Sequence, residues 1–150
     1  MADTKAQIAA GEQYALIESI TTTEAVSIIE RTVEPDGTAY NLKRILLNFY
    51  VPKTSEGAAF SVICNKAIQI GWMTEGGSTA GARYSRCMAD VSRGYLEGYM
   101  VVGAASPSAY AEQRASNYSS FVEVAGIYGI RVTGVVFPAG TKIDIYGVRA

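Results

Sequence analysis

From Tyr14 onward the chain alternates β-branched and aromatic runs with turn residues, about every 8–12 positions. That rhythm suits an all-β sandwich or barrel and not alternating β-α units. The runs fall at 13–21, 25–33, 40–51, 59–64, 68–72, 83–92, 95–104, 121–124, 127–136 and 141–148. At 150 residues this is one domain. It is large enough to bury roughly 68–70% of its unfolded surface without staples. The expected fold is a single-domain antiparallel β-sandwich spanning 13–150, preceded by an N-terminal arm at 1–12. The arm is Ala-rich and polar, and reads equally as a short helix or a loose segment.

Turn chemistry and parity give detail. Glu34-Pro35-Asp36-Gly37 is a turn, since proline presets φ and glycine supplies φ > 0. In the 40–51 run, Ile45, Leu47, Phe49 and Val51 share one parity while Tyr40 and Leu42 share the other. A strand has period two, so the switch at Lys43-Arg44 predicts a bulge or a change of sheet face. Asn65-Lys66 and Arg93-Gly94 read as hairpin turns. Phe60, Val62, Ile68, Ile70 and Trp72 are expected on the inner face of the first hairpin. Residues 106–117 break the β pattern and read as one helical turn or a surface loop. Phe137-Pro138-Ala139-Gly140 launches a last strand, which is expected to pair with an early one because a loose apolar tail is a pairing hazard.

Charge and composition narrow the chemistry. Thirteen Lys+Arg balance 14 Asp+Glu, and the basic residues are scattered, which argues against nucleic-acid binding. No stretch approaches the ~18 apolar residues of a membrane span, and no signal-peptide h-region is expected. Histidine is absent, so Ser-His-Asp and Cys-His mechanisms are closed. Cys64 and Cys87 lack ligand spacing and read as small buried thiols, or as a disulfide. No metal and no cofactor is expected. The glycines at 76–81 open a strand and lack the lysine of a phosphate loop. Glu18, Glu30, Asp90, Glu97, Glu123 and Asp144 lie in strand runs and read as the solvated faces of sheets, so no enzyme activity is expected.

The chain has ten tyrosines. Tyrosine carries a large area, few rotors and a polar tip, which suits half-buried sheet positions, subunit interfaces and glycan contacts alike. Tyr84, Tyr95, Tyr99, Tyr110 and Tyr118 are the interface or glycan candidates.

Three stretches carry a family likeness: Ala25 to Arg31 with Tyr40 to Pro52, the hairpin from Phe60 to Trp72, and the ending from Phe137 to Arg149. Together they resemble small jelly-roll-like β-sandwich proteins of tailed-phage virions: head decoration or fibre, baseplate, or receptor-binding tip. The resemblance implies a jelly-roll-like sandwich of about eight to ten strands. It implies a structural subunit that assembles with itself, a trimer favoured, and with other virion proteins. It places the protein in the virion after synthesis in the bacterial host cytoplasm. The alternative is a carbohydrate-binding module or receptor-binding tip that takes a cell-surface glycan.

Overall fold

A computed structural model describes residues 13–52, 59–74, 83–102 and 114–150. The described residues form ten strands: β1 (Ala15–Thr21), β2 (Val26–Arg31), β3 (Leu42–Val51), β4 (Ala59–Cys64), β5 (Ile68–Thr74), β6 (Arg83–Ser92), β7 (Tyr95–Val102), β8 (Arg114–Glu123), β9 (Ile130–Phe137) and β10 (Lys142–Arg149). A six-stranded sheet has the order β1-β10-β3-β6-β7-β8, and a four-stranded sheet the order β2-β9-β4-β5. All pairings are antiparallel. The fold is an all-β sandwich.

The pairs nest. β1 takes β10, β2 takes β9, β3 takes β6 and β4 takes β5. This is one long antiparallel ribbon rolled over itself, which is jelly-roll topology. The β7–β8 hairpin widens the larger sheet by two strands. The last strand lies between β1 and β3, so the ending is bound into the sheet on both sides, as expected.

The core comes from period-two alternation on facing strands. In β3, Ile45, Leu47, Phe49 and Val51 are buried. In β10, Ile143 and Ile145 match them, while Phe60, Val62, Ile130 and Val132 rise from the smaller sheet. Each aliphatic side chain so enclosed contributes about 1.5–3 kcal/mol. Phe49 crosses between the sheets to Phe60, with ring centroids 5.0 Å apart, and Phe60 meets Phe137 edge-on at 5.6 Å. Cys64 and Cys87 are free, buried thiols.

The bulge read at Lys43-Arg44 is present. Val148 pairs with Arg44 and Arg149 with Leu42, leaving Lys43 as the extra residue. Leu42 and Ile45 are therefore both fully buried despite opposite parity. The two hairpin turns also hold. Asn65, Lys66, Arg93 and Gly94 all take positive φ, the geometry whose twist matches the flanking strands.

Three expectations need correction. Val62 pairs with Gly71 but Ile63 pairs with Gln69, so Ile70 is a bulge residue. Phe60, Val62 and Ile70 are buried, and Ile68 packs against the core. Trp72, however, sits in register with Ser61, out of phase with Phe60 and Val62. The Ser- and Asn-rich stretch from Arg114 is strand, not loop. Its pairing with β7 overrides poor β-propensity. Ile127 precedes β9 and makes an isolated bridge to Leu42. The arm at 1–12 and the 76–81 loop lie outside the described residues.

The sheets pack tightly where β5 crosses β7. A Cβ on Gly98 would stand 2.8 Å from the Ile70 Cβ and 3.0 Å from the Ile70 carbonyl oxygen. A branch atom and a backbone oxygen cannot swing aside. Gly98→Ala should therefore cost about 1–3 kcal/mol by overpacking. Urea unfolding checks this, and an unchanged midpoint would show that the two sheets can separate freely at this point.

Candidate functional site

Two electrostatic clusters stand out, at the sandwich edge and on the broad face of the larger sheet. At the edge, Arg31 Nε donates to both carboxylate oxygens of Glu18 at 3.0 Å, tying β2 to β1. Arg131 pairs with Glu30 at 3.1 Å. These pairs bring charge to the free edge strands, which discourages further strand addition. Glu34 is buried in the turn before β3, and Arg149 grips it with two guanidinium nitrogens, Nε at 3.2 Å. That hydrogen bond raises the Arg149 pKa. Asp36 accepts from the Thr38 backbone N–H at 2.9 Å, which lowers its pKa. Three of the strand carboxylates read as solvated thus prove to be bound or shielded: Glu18 and Glu30 in ion pairs, Asp144 with a buried oxygen.

The broad face is built by register. Strands of a sheet lie about 5 Å apart, and every second residue of a strand shares a face. One row runs Leu16, Tyr146, Leu46, Met88, Tyr99 across β1, β10, β3, β6 and β7. The next row runs Ser19, Asp144, Asn48, Arg86. A third runs Thr21, Lys142, Tyr50, Tyr84. A polar row therefore lies between two aromatic ones. Arg86 Nε donates to Asn48 Oδ1 at 3.0 Å. Tyr99 Oη donates to the Met88 thioether at 2.8 Å. The Tyr50 and Tyr84 rings meet at a tilt of 43°, with centroids 5.0 Å apart. Asp144 Oδ1 is buried and has no hydrogen-bond partner among the described residues.

The tyrosine candidates divide. Tyr84 and Tyr99 fall within these rows, and Tyr95 lies on the same face beside the Arg93-Gly94 turn. Tyr95 and Tyr99 are 38% and 40% exposed, open enough to meet a partner. Tyr118 pairs in register with Gly98, whose missing side chain would point at β5, so its position belongs to the other face. Tyr110 lies outside the described residues. Sequence reading passed over Tyr50, Tyr146, Asn48 and Arg86. Their signal was parity: each has the phase opposite to the buried residues of its strand. Among the described residues no group of metal-ligating side chains converges, and no helix is long and apolar enough to cross a membrane.

No known family model and no curated protein matches the chain. Among solved structures it is similar to a GH43 protein from Bacillus licheniformis at 9% identity and TM-score 0.34, covering 73% of this chain and 27% of that one. The chain thus spans about a quarter of that protein's length. It is also similar to a carbohydrate-binding module of lichenase 5A from Cellvibrio mixtus, in complex with cellotriose, at 10% identity and TM-score 0.31, covering 91% and 98%. Likeness at this level establishes neither a shared family nor a shared activity.

Burial makes the protein sensitive to alkali. Tyr40 is 2% exposed, and burial first, then the nearby Glu18 charge, raises its pKa from 10.0 to about 12. Burial likewise raises Cys64 from 9.0 to about 12, and raises Cys87 further. The folded values lie above the unfolded ones, so these groups stabilise fully below pH 9 and lose that contribution as pH rises towards 12. Stability should fall across that window, the Tyr40 share being of order 2 kcal/mol. Tyr40→Phe should flatten the part between pH 10 and 12. Urea midpoints against pH measure this, and a flat parent profile would contradict it.

Proposed function

We propose that this chain is a non-catalytic structural subunit of a phage particle and acts by protein–protein assembly. The observation that carries the reading is apolar surface left open on both outer faces of the sandwich. On the larger sheet Leu16 is 55% exposed on edge strand β1, and Tyr95 and Tyr99 are exposed on β7, beyond β10, β3 and β6. Ile28 and Val136 are 58% and 48% exposed on the smaller sheet. A subunit that meets several neighbours needs contact residues on more than one face; tyrosines supply energy at a contact centre, and apolar side chains around them exclude water.

Topology and composition support the reading. Jelly rolls serve as viral capsid subunits and lectins, among other roles. The chain has no histidine, which removes the commonest general base and metal ligand. The sequence resemblance to phage virion proteins selects the structural role. Closed cyclic symmetry is the ordinary outcome for a self-assembling chain, and the resemblance favours three copies.

Light scattering of the full chain should give a trimer at tens of micromolar. Tyr99→Ser and Ile28→Ser should shift it towards monomer without lowering the melting temperature. Mass spectrometry of purified particles of the encoding phage should find the protein. A monomeric parent absent from the particles would overturn the proposal.

A further inference from the structure

We infer that the broad face of the six-stranded sheet carries an oligosaccharide site along the row Ser19, Asp144, Asn48, Arg86. The ligand class follows from the groups the register assembles. A sugar ring presents C–H faces above and below and hydroxyls around its rim. It is held where aromatic rings flank planar hydrogen-bonding groups. Here a hydroxyl, a carboxylate, an amide and a guanidinium stand in one row on four adjacent strands. Tyr146 and Tyr99 flank the row on one side, and the tilted Tyr50–Tyr84 pair on the other.

The dimensions agree. Tyr146 and Tyr99 are three strand spacings apart, about 14 Å, which spans a few sugar rings lying across the strands. The site is also preorganised. All its residues sit on paired strands, and Arg86 already holds Asn48 at 3.0 Å. Little ordering entropy is therefore lost on binding. Asn48 Nδ2 and the remaining guanidinium nitrogens of Arg86 donate, and the Asp144 carboxylate accepts. The buried Asp144 Oδ1 has no partner among the described residues, so a ligand hydroxyl that slid beneath the flanking side chains would supply one. One carboxylate and one guanidinium leave the row with no net charge, which fits a neutral sugar and not a polyanion.

The experiment uses the full chain and neutral trisaccharides of the β-glucan, α-glucan, β-mannan, β-xylan and chitin types, followed by backbone amide NMR. At least one should bind with a dissociation constant between micromolar and millimolar. Its shifts should map to β10, β3 and β6. Asn48→Ala and Arg86→Met should each weaken binding at least about tenfold, while Glu30→Ala, on the smaller sheet, leaves it unchanged. Thermal melts confirm that each variant folds. Should Asn48→Ala fail to fold, Asn48→Ser takes its place. The inference is overturned if no trisaccharide binds, if the shifts map to the loops or the smaller sheet, or if the folded variants bind like the parent.

Discussion

The sandwich hangs on the two ladders made by β10. This strand bonds β1 along one side and β3 along the other, so the end of the chain joins the start of the domain to its centre. Its inner residues, Ile143 and Ile145, are wholly enclosed, and Gly147 lets Leu42 approach to 3.0 Å from where a Cβ would stand. Arg149, the last residue of β10, then closes on buried Glu34. A carboxylate in that position is tolerable because the guanidinium meets its charge with two nitrogens. Without β10, β1 has no ladder partner among the described strands and the β3 edge is bare.

The same ladders create the broad face. Because β10, β3 and β6 pair without slippage through Asp144, Asn48 and Arg86, three polar side chains far apart in sequence share one row. The inner face of these strands sets their register, since a one-residue slip would turn Ile45, Leu47 and Ile145 out of the core. The geometry of the outer row is thus a by-product of core packing. The assembly role and the sugar site draw on the same surface in part: Tyr99 is a contact residue of the one and borders the other. A neighbouring subunit seated on Tyr99 therefore competes with a sugar at that end of the row, while the Asp144–Asn48 stretch stays open.

Local chemistry made much of the fold legible. Strand runs, the Asn65-Lys66 and Arg93-Gly94 turns and the Lys43 bulge depend on residues within a few positions of one another. So does the burial of Phe60 and Val62. Trp72 was misplaced because the Ile70 bulge shifts the phase of β5, and the adjacent Gly71, a residue that often marks a bulge, fits an unbroken alternation equally well. Only the end of the 114–123 strand was read, as the run 121–124; the part before it was missed for a related reason. Arg114, Ser116, Asn117, Ser119 and Ser120 have little intrinsic preference for a strand, and pairing with β7 supplies what they lack.

By itself the sequence determined the fold class, the number of strands to within one or two, and which side of most strands is buried. These follow from period two and turn residues, both local. Only the tertiary structure decided the neighbours: that β1 takes β10, that β2 takes β9, and that Tyr84 and Tyr99 share a face while Tyr118 has the opposite phase. Cross-strand partners are chosen by packing two whole sheets against each other. Residues more than a hundred positions apart then become adjacent, and no local pattern encodes that choice.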